Sequence, residues 1–123
     1  AYRISLGSNE KLELGDLSVI RDWGWAPEYV EAMWLMLQQE VPENYVIATG
    51  KSHTLQQFVQ IVFEEFNLDW KKYVHTSEKF IRDNELKTSK ANPSLVWEEL
   101  GWKAKTDFRT LIQKLIFDEK NTI

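Results

Sequence analysis

Four segments of the chain place apolar residues at the 3.6-residue spacing that is typical of amphipathic helices. The first predicted helix begins at Pro27, a residue that suits a first helical turn, and ends near Gln39–Glu40, before Pro42. Its apolar residues form one broad face that contains Tyr29, Val30, Met33, Trp34 and Leu37. The pattern therefore predicts a helix of about three turns with a wide apolar surface.

The second predicted helix follows Thr54, which is a good N-cap residue and has Gln57 three positions later, as in a capping box. The apolar face of this helix contains Leu55, Phe58, Val59, Val62, Phe63 and Phe66.

Two shorter patterns predict the remaining helices. Asn92 and Pro93 suit the start of a helix that carries Leu95, Val96 and Leu100 and stops at Gly101. Thr106 and Asp107 open the last helix, with Phe108, Leu111, Ile112, Leu115 and Ile116 on one face.

Three apolar runs predict short strands. Lys11–Leu14 alternates and is closed by a turn at Gly15–Asp16, Tyr45–Ala48 reads as a strand buried on both faces, and residues 72–76 form a third candidate. We therefore expect an α/β fold with few short strands and about four helices, in a single domain spanning residues 1–123. So small a sheet leaves unpaired edges, which a second chain or further sequence must cover.

Composition narrows the classes of protein. The 123 residues have a formal charge of −4 and no basic run longer than a dipeptide, which argues against a nucleic-acid partner. No apolar run is long enough to cross a membrane. The chain has no cysteine and only two histidines, so we expect no metal site, and we interpret the composition as that of a cytoplasmic protein.

Arg21 is the first candidate for binding. In the stretch RDWGW, residues 21–25, it precedes the helix predicted from Pro27, and a guanidinium near a helix N-terminus suits a phosphate group. An ion pair with Asp22 or another surface acid is the commoner alternative. The side chains of Trp23 and Trp25 either stack on a ligand or pack the loop against the core of the protein. We favour the second interpretation.

Arg82 and Glu85 are the second candidate. Their spacing allows a cation to contact a diphosphate and a carboxylate to accept hydrogen bonds from ribose hydroxyls, although a mixture of charges is more often a solvated loop. The sequence shows no glycine-rich dinucleotide motif, no Walker loop and no nucleophile elbow. We therefore assign no catalytic, cofactor-binding or metal-binding residue to this chain.

The motifs RDWG, EAMWLMLQQ, YVIATG and LGWK, at their mutual spacings, closely resemble the GDP-mannose 4,6-dehydratase family of extended short-chain dehydrogenases/reductases. This resemblance implies an N-terminal Rossmann domain that binds NADP(H) and a C-terminal region that binds the GDP-sugar. The Rossmann domain is expected to be absent from this chain. The chain resembles the C-terminal region, beginning in the last turns of a helix at Ala1–Leu6. Since residue 1 is not methionine, we expect the chain to be part of a longer polypeptide.

The resemblance also assigns roles. It implies that Arg21 and Arg82 hold the diphosphate of GDP-mannose and that Glu85 accepts hydrogen bonds from ribose hydroxyls. For the complete enzyme it implies oxidation of the hexose at C4 by NADP+, loss of water across C5–C6 and return of the hydride to C6, giving GDP-4-keto-6-deoxymannose. Asp83 departs from the family, which has proline there, and it adds a negative charge beside the proposed phosphate site.

Two other functions stay open. One is a non-catalytic binding or scaffolding protein derived from such an enzyme, and the other is part of a different nucleotide-sugar epimerase or dehydratase. The expected partners are GDP-mannose or a related nucleotide sugar and either a second copy of the chain or the Rossmann domain, with no nucleic acid and no membrane.

Overall fold

The computed structural model describes residues 1–122 and contains five α-helices in that range. Four of them confirm the helices predicted from the apolar spacing, and the additional four-residue helix at the start agrees with the short helix that the resemblance implied. The helices are α1 (Tyr2–Ser5), α2 (Ala26–Leu37), α3 (Leu55–Glu64), α4 (Ser94–Leu100) and α5 (Phe108–Thr122).

Four short strands form two separate pairs. Strand β1 (Leu12–Leu14) runs parallel to β4 (Val74–Thr76), and both strands were predicted. Strand β2 (Ile20–Arg21) runs antiparallel to β3 (His53–Thr54), with Arg21 opposite His53. These two strands have only two residues each, too short for an alternating pattern to reveal them in the sequence.

Strand β2 has a backbone neighbour on its other side as well. The Ile20 N–H donates to the Lys87 carbonyl at 2.7 Å, and the Ser89 N–H donates to the Ile20 carbonyl at 3.0 Å. Ile20 therefore lies between β3 and residues 87–89, to which it is bridged in parallel at Thr88. This arrangement brings the polar segment from Ser77 to Lys90 next to Arg21.

The strand predicted at Tyr45–Ala48 is wrong. These residues lie outside any strand, and no backbone hydrogen bond joins residues 45–48 to another described segment. Tyr45 and Ile47 instead pack on the cluster of Ala32, Val96 and Trp102, while Val46 is exposed. Side-chain packing holds this stretch, but nothing in residues 1–122 pairs with its backbone, and one of its faces is open to solvent.

Two apolar clusters form the core. The first joins α1, α3 and β4 through Ile4, Val59, Phe63 and Val74. The second joins α2, α4 and the segment after α4 through Ala32, Val96 and Trp102. Helices α3 and α5 also pack against each other, and strand β3 contacts α3.

Three of the predicted helix ends are confirmed, two by hydrogen bonds and one by its backbone conformation. At α3, Thr54 Oγ1 accepts from the Gln57 N–H at 3.1 Å, and Gln57 Oε1 accepts from the Thr54 N–H at 2.8 Å, which completes the capping box. At α4, Gly101 adopts a left-handed conformation with φ 64°, the usual helix stop. At α5, Asp107 Oδ1 accepts from the Thr110 N–H at 2.9 Å.

Most of the broad apolar face of α2 points away from the core, whereas its Tyr29 packs against the cluster of Ala32, Val96 and Trp102. Val30, Met33, Trp34 and Leu37 are between 52% and 82% exposed, whereas the fully buried residue of this helix is Ala32. The spacing identified the helix correctly, but it did not show that a second, smaller face of the helix makes the contacts within this chain. In the range 1–122, no helix has the length and apolar character needed to span a bilayer.

Candidate anion-binding site

Arg21 and Glu85 form a partly buried ion pair. Arg21 Nη2 donates to Glu85 Oε1 at 2.6 Å, and Arg21 Nη1 donates to the Ile20 carbonyl at 2.8 Å. The two side chains are 28% and 26% exposed, so solvent and salt screen this pair less than a fully exposed pair. The acid that pairs with Arg21 is therefore Glu85 and not the adjacent Asp22.

The backbone explains how Glu85 reaches Arg21 across 64 positions of sequence. The hydrogen bonds between Ile20 and residues 87–89 fix the end of the segment that carries Glu85. The Glu85 N–H donates to the Arg82 carbonyl at 3.1 Å, so both residues belong to one turn. The structure joins Arg21 and Glu85 directly, whereas the exposed Arg82 is connected to them through the backbone of this turn.

Asp22 has a structural role that the sequence did not reveal. Its Oδ1 accepts from the Thr49 N–H at 3.1 Å and from Thr49 Oγ1 at 2.7 Å, and its Oδ2 accepts from the Gly50 N–H at 2.8 Å. These bonds fasten the loop after residues 45–48 to the residue that follows Arg21. No local signal in the sequence identifies these donors, because every residue other than proline has a backbone N–H group.

The two tryptophans contact their own chain. The Trp23 ring lies 5.5 Å from Phe58 and 5.7 Å from Phe108, between α3 and α5, which confirms that it wedges the loop against the core. The ammonium of Lys114 lies 5.0 Å from the centre of the Trp25 ring. The loop that leads from Arg21 into α2 is thus anchored by aromatic packing, which limits the freedom of the arginine beside it.

The first turn of α2 already holds a carboxylate. Glu28 Oε1 accepts from the Thr106 N–H at 3.1 Å and from Thr106 Oγ1 at 2.8 Å. The positive end of the helix therefore acts on Glu28 as well as on any anion near Arg21. The main positive charge of the candidate site is consequently the guanidinium and not the helix terminus.

Two of the clefts on the surface do not include Arg21 and contain several of the remaining charged and aromatic side chains. A polar cleft of about 480 Å³ is bordered by His53, whose ring stacks on Phe108 at 3.8 Å, and by Arg109, which pairs with Glu64 and Glu65. Burial lowers the pKa of His53, Asp22 opposes this effect, and Lys51 adds to it. An apolar cleft of about 350 Å³ lies between α1, α3 and α5.

Neither cleft is lined by Arg21, Arg82 or Glu85. The guanidinium of Arg21 faces a carboxylate rather than one of these two hollows. Within residues 1–122, no three histidine, aspartate or glutamate side chains are grouped so as to hold a metal ion.

Solved structures share the fold of this chain. RMD from Pseudomonas aeruginosa, complexed with NADPH, superposes with a TM-score of 0.85 at 15% identity, over 98% of this chain and 40% of that one. The dTDP-glucose 4,6-dehydratase of Bacillus anthracis, in complex with NAD, gives 0.79 at 22% identity, over 91% and 35%. The chain has the α/β fold of the C-terminal region of extended short-chain dehydrogenases/reductases.

Within that class, the chain belongs to the GDP-mannose 4,6-dehydratase family, whose sequence model matches residues 1–115. GDP-mannose 4,6 dehydratase 1 of Arabidopsis thaliana is 45% identical over 117 residues, which cover 95% of this chain and 32% of that protein. The resemblance carried by RDWG, YVIATG and LGWK is thereby confirmed. The chain spans about a third of the length of the curated relatives that it matches.

Proposed function

We propose that this chain forms the nucleotide-sugar-binding part of a GDP-mannose 4,6-dehydratase and that Arg21 is the principal ligand of the diphosphate. The observation that carries the proposal is the setting of Arg21, a partly buried guanidinium at the end of β2 that is bonded to a carboxylate. Carboxylate and phosphate oxygens accept from the same guanidinium fork. Membership of the family supplies the identity of the anion, the diphosphate of GDP-mannose.

Arg82 and Glu85 complete the proposed site. Because Arg82 is exposed and lies one turn before Glu85, its side chain is free to meet a diphosphate held by Arg21. Two guanidinium groups would then oppose the two negative charges of the diphosphate. Glu85, released from Arg21, would accept hydrogen bonds from the ribose hydroxyls. Binding the nucleotide in this way positions the hexose for reaction elsewhere in the protein.

The complete protein would use NADP(H), which would accept a hydride from the hexose and later return it to the sugar. The sequence has no glycine-rich turn between a strand and a helix, which is the usual motif for binding such a cofactor. We propose that other residues of the complete protein hold it and that this chain contributes substrate binding. The overall reaction would convert GDP-mannose to GDP-4-keto-6-deoxymannose.

The exposed face of α2 and the unpaired stretch at 45–48 would contact the cofactor-binding domain. Val30, Met33, Trp34 and Leu37 form a contiguous apolar surface, and the backbone of residues 45–48 offers free donors and acceptors beside Ala32 of the same helix. A helix face and a stretch of unpaired backbone together suit the side of an α/β layer. Sedimentation analysis separates the two expected partners, since association of the 123-residue chain with itself would instead favour a homo-oligomer.

The function is tested by titrating the protein with GDP while tryptophan fluorescence is recorded. Arg21→Ala is expected to weaken binding by about 1.5–3 kcal/mol, the range for a hydrogen bond to a charged group. Arg3→Ala is the matched control, because Arg3 is also paired with a glutamate, Glu10, but lies on α1 and is exposed. Equal GDP affinity of the wild type and Arg21→Ala would refute the phosphate role.

The same titration separates the other functions. Tighter binding of a UDP- or dTDP-sugar than of GDP-mannose would place the chain with a different nucleotide-sugar enzyme. Folded protein that binds none of these ligands would favour a scaffolding protein derived from the family.

A further inference from the structure

We propose that the Arg21–Glu85 ion pair is a self-closed form of the diphosphate site, in which the Glu85 carboxylate occupies the place of a phosphate oxygen. The inference rests on the proposed function of Arg21. In the protein without ligand, the Glu85 carboxylate therefore occupies the anion site at Arg21. A nucleotide sugar binds when its diphosphate displaces that carboxylate. Glu85 is then a residue that sets which anions are admitted.

The contacts of Arg21 support a competition at one edge of the guanidinium. Nη1 is bonded to the Ile20 carbonyl at 2.8 Å within β2, which fixes the orientation of the group. Nη2 is bonded to Glu85 Oε1 at 2.6 Å, and carboxylates and phosphates meet guanidinium in the same geometry. An anion that approaches the Nη2 side must therefore displace the carboxylate.

The burial of the pair gives the exchange an energetic cost. Both side chains are about three-quarters shielded, so their attraction is screened less than that of the exposed Arg3–Glu10 pair. A weakly charged anion gains too little to separate them. A diphosphate carries more charge and also reaches a second cation, so it is the better competitor.

The backbone couples the release of Glu85 to the position of Arg82. The Glu85 N–H is bonded to the Arg82 carbonyl, and the segment is held at its other end by the bond from Ile20 to Lys87. A movement of Glu85 away from Arg21 is therefore transmitted to the turn that carries Arg82. Without ligand, this turn places the Glu85 carboxylate against Arg21. With ligand bound, the same turn supplies Arg82 to the diphosphate.

Inorganic pyrophosphate tests the proposal, because it contains the diphosphate and lacks the ribose that Glu85 is proposed to contact. Its affinity is measured by calorimetry for the wild type, Glu85→Gln and Asp83→Asn. Asp83→Asn is the matched control, since it removes one negative charge from the same turn but does not break the bond to Arg21. We expect Glu85→Gln to bind about tenfold more tightly than the wild type, and Asp83→Asn, which removes a nearby charge but frees no donor of Arg21, to gain about twofold or less.

Two further variants make the result decisive. Glu85→Asp, with a shorter side chain, keeps the charge but retracts the carboxylate, and it should also bind pyrophosphate more tightly than the wild type. Adding Arg21→Ala to Glu85→Gln should remove the gain, because the gain depends on the freed guanidinium. Circular dichroism of each variant verifies that the fold is retained.

The possible outcomes separate the two proposals. If the wild type binds pyrophosphate and Glu85→Gln binds no more tightly than Asp83→Asn, the self-closed site is refuted while the anion site at Arg21 stands. A gain that survives in the Arg21→Ala double variant also refutes it. If neither folded wild type nor folded Glu85→Gln binds pyrophosphate, the proposed function of Arg21 fails together with the inference.

Discussion

Gly24 lies so close to Tyr29 that a Cβ on residue 24 would overlap the Tyr29 hydroxyl and the adjoining ring carbons. The ring of Tyr29 also meets Trp102 edge to face at 5.8 Å, in the cluster that joins α2 and α4. Burial, with smaller effects of Asp22 and Glu28, raises the pKa of Tyr29 to about 12. The glycine of the RDWG motif is thus required by packing, and it allows the loop after Arg21 to lie flat against α2.

Gly24→Ala should therefore destabilise the fold. The added methyl group must displace the Tyr29 ring from its contact with Trp102, and overpacking of this kind costs about 1–3 kcal/mol. The free energy of unfolding in urea measures the loss. In a Tyr29→Ala background the same change should have little effect, because the ring that it would strike is gone. Equal losses in the two backgrounds would contradict the contact.

The Asp22 carboxylate should contribute substantially to stability. Asp22→Asn keeps one acceptor oxygen but replaces the other by an NH₂ group that cannot accept from the Gly50 N–H, and we expect a loss of about 1.5–3 kcal/mol in urea unfolding. Thr49→Val, which removes the hydroxyl bonded to Asp22, should also destabilise, whereas Thr49→Ser should be close to the wild type. A harmless Thr49→Val would show that this hydroxyl bond is not made.

The stacked His53 should make the protein less stable in mild acid. Burial lowers the pKa of His53 below its ordinary value of 6.5, so the unfolded chain binds more protons as the pH falls through that value. The contribution of His53 is therefore present above about pH 6.5 and declines below it. The contribution of His53 is measured from the change in the free energy of unfolding between about pH 7.5 and pH 5.5.

The His53→Phe variant keeps an aromatic ring stacked on Phe108 but lacks the titratable imidazole. The stability of this variant should therefore depend less on pH over this range. Glu64, Asp107 and other carboxyl groups with lowered pKa values act only in stronger acid, which separates their effect from that of His53. His75→Gln, an exposed change on β4, is the control and should follow the wild type. A pH dependence in His53→Phe as steep as in the wild type would rule out this role for His53.

The capping box of α3 gives a fourth prediction. Thr54→Ala removes the acceptor for the Gln57 N–H and should cost about 1 kcal/mol of stability, whereas Thr54→Ser retains the bond. Thermal unfolding followed by circular dichroism measures both changes. If Thr54→Ser loses as much as Thr54→Ala, the hydroxyl is not responsible for the effect.

Local signals in the sequence predicted the helices well. The capping box at Thr54 and Gln57 and the stop at Gly101 depend on neighbours within a few positions, so their chemistry is readable without knowledge of the fold. The strand predicted at Tyr45–Ala48 failed because pairing requires a second backbone, which a local pattern does not supply. Strands β2 and β3 were missed because two residues carry no periodicity.

The candidate site was predictable only in part. The residue types of Arg21, Arg82 and Glu85 and their family motif indicated an anion site, but contact between Arg21 and Glu85 depends on how Ile20 pairs with residues 87–89. The three bonds of Asp22 depend in the same way on the path of the loop at Thr49. Long-range backbone pairing decides such contacts, and it leaves little trace in short stretches of sequence.

The position of Ile20 between two distant segments has a consequence for how the molecule folds. Closing chain loops of this length carries an entropic cost that is recovered only when both neighbours are in place, so such pairings tend to form slowly. The α3 helix, with its local cap, can form early, whereas the Arg21 environment must await residues close to position 90. During synthesis, the arginine therefore acquires its surroundings only after the residues close to position 90 have left the ribosome.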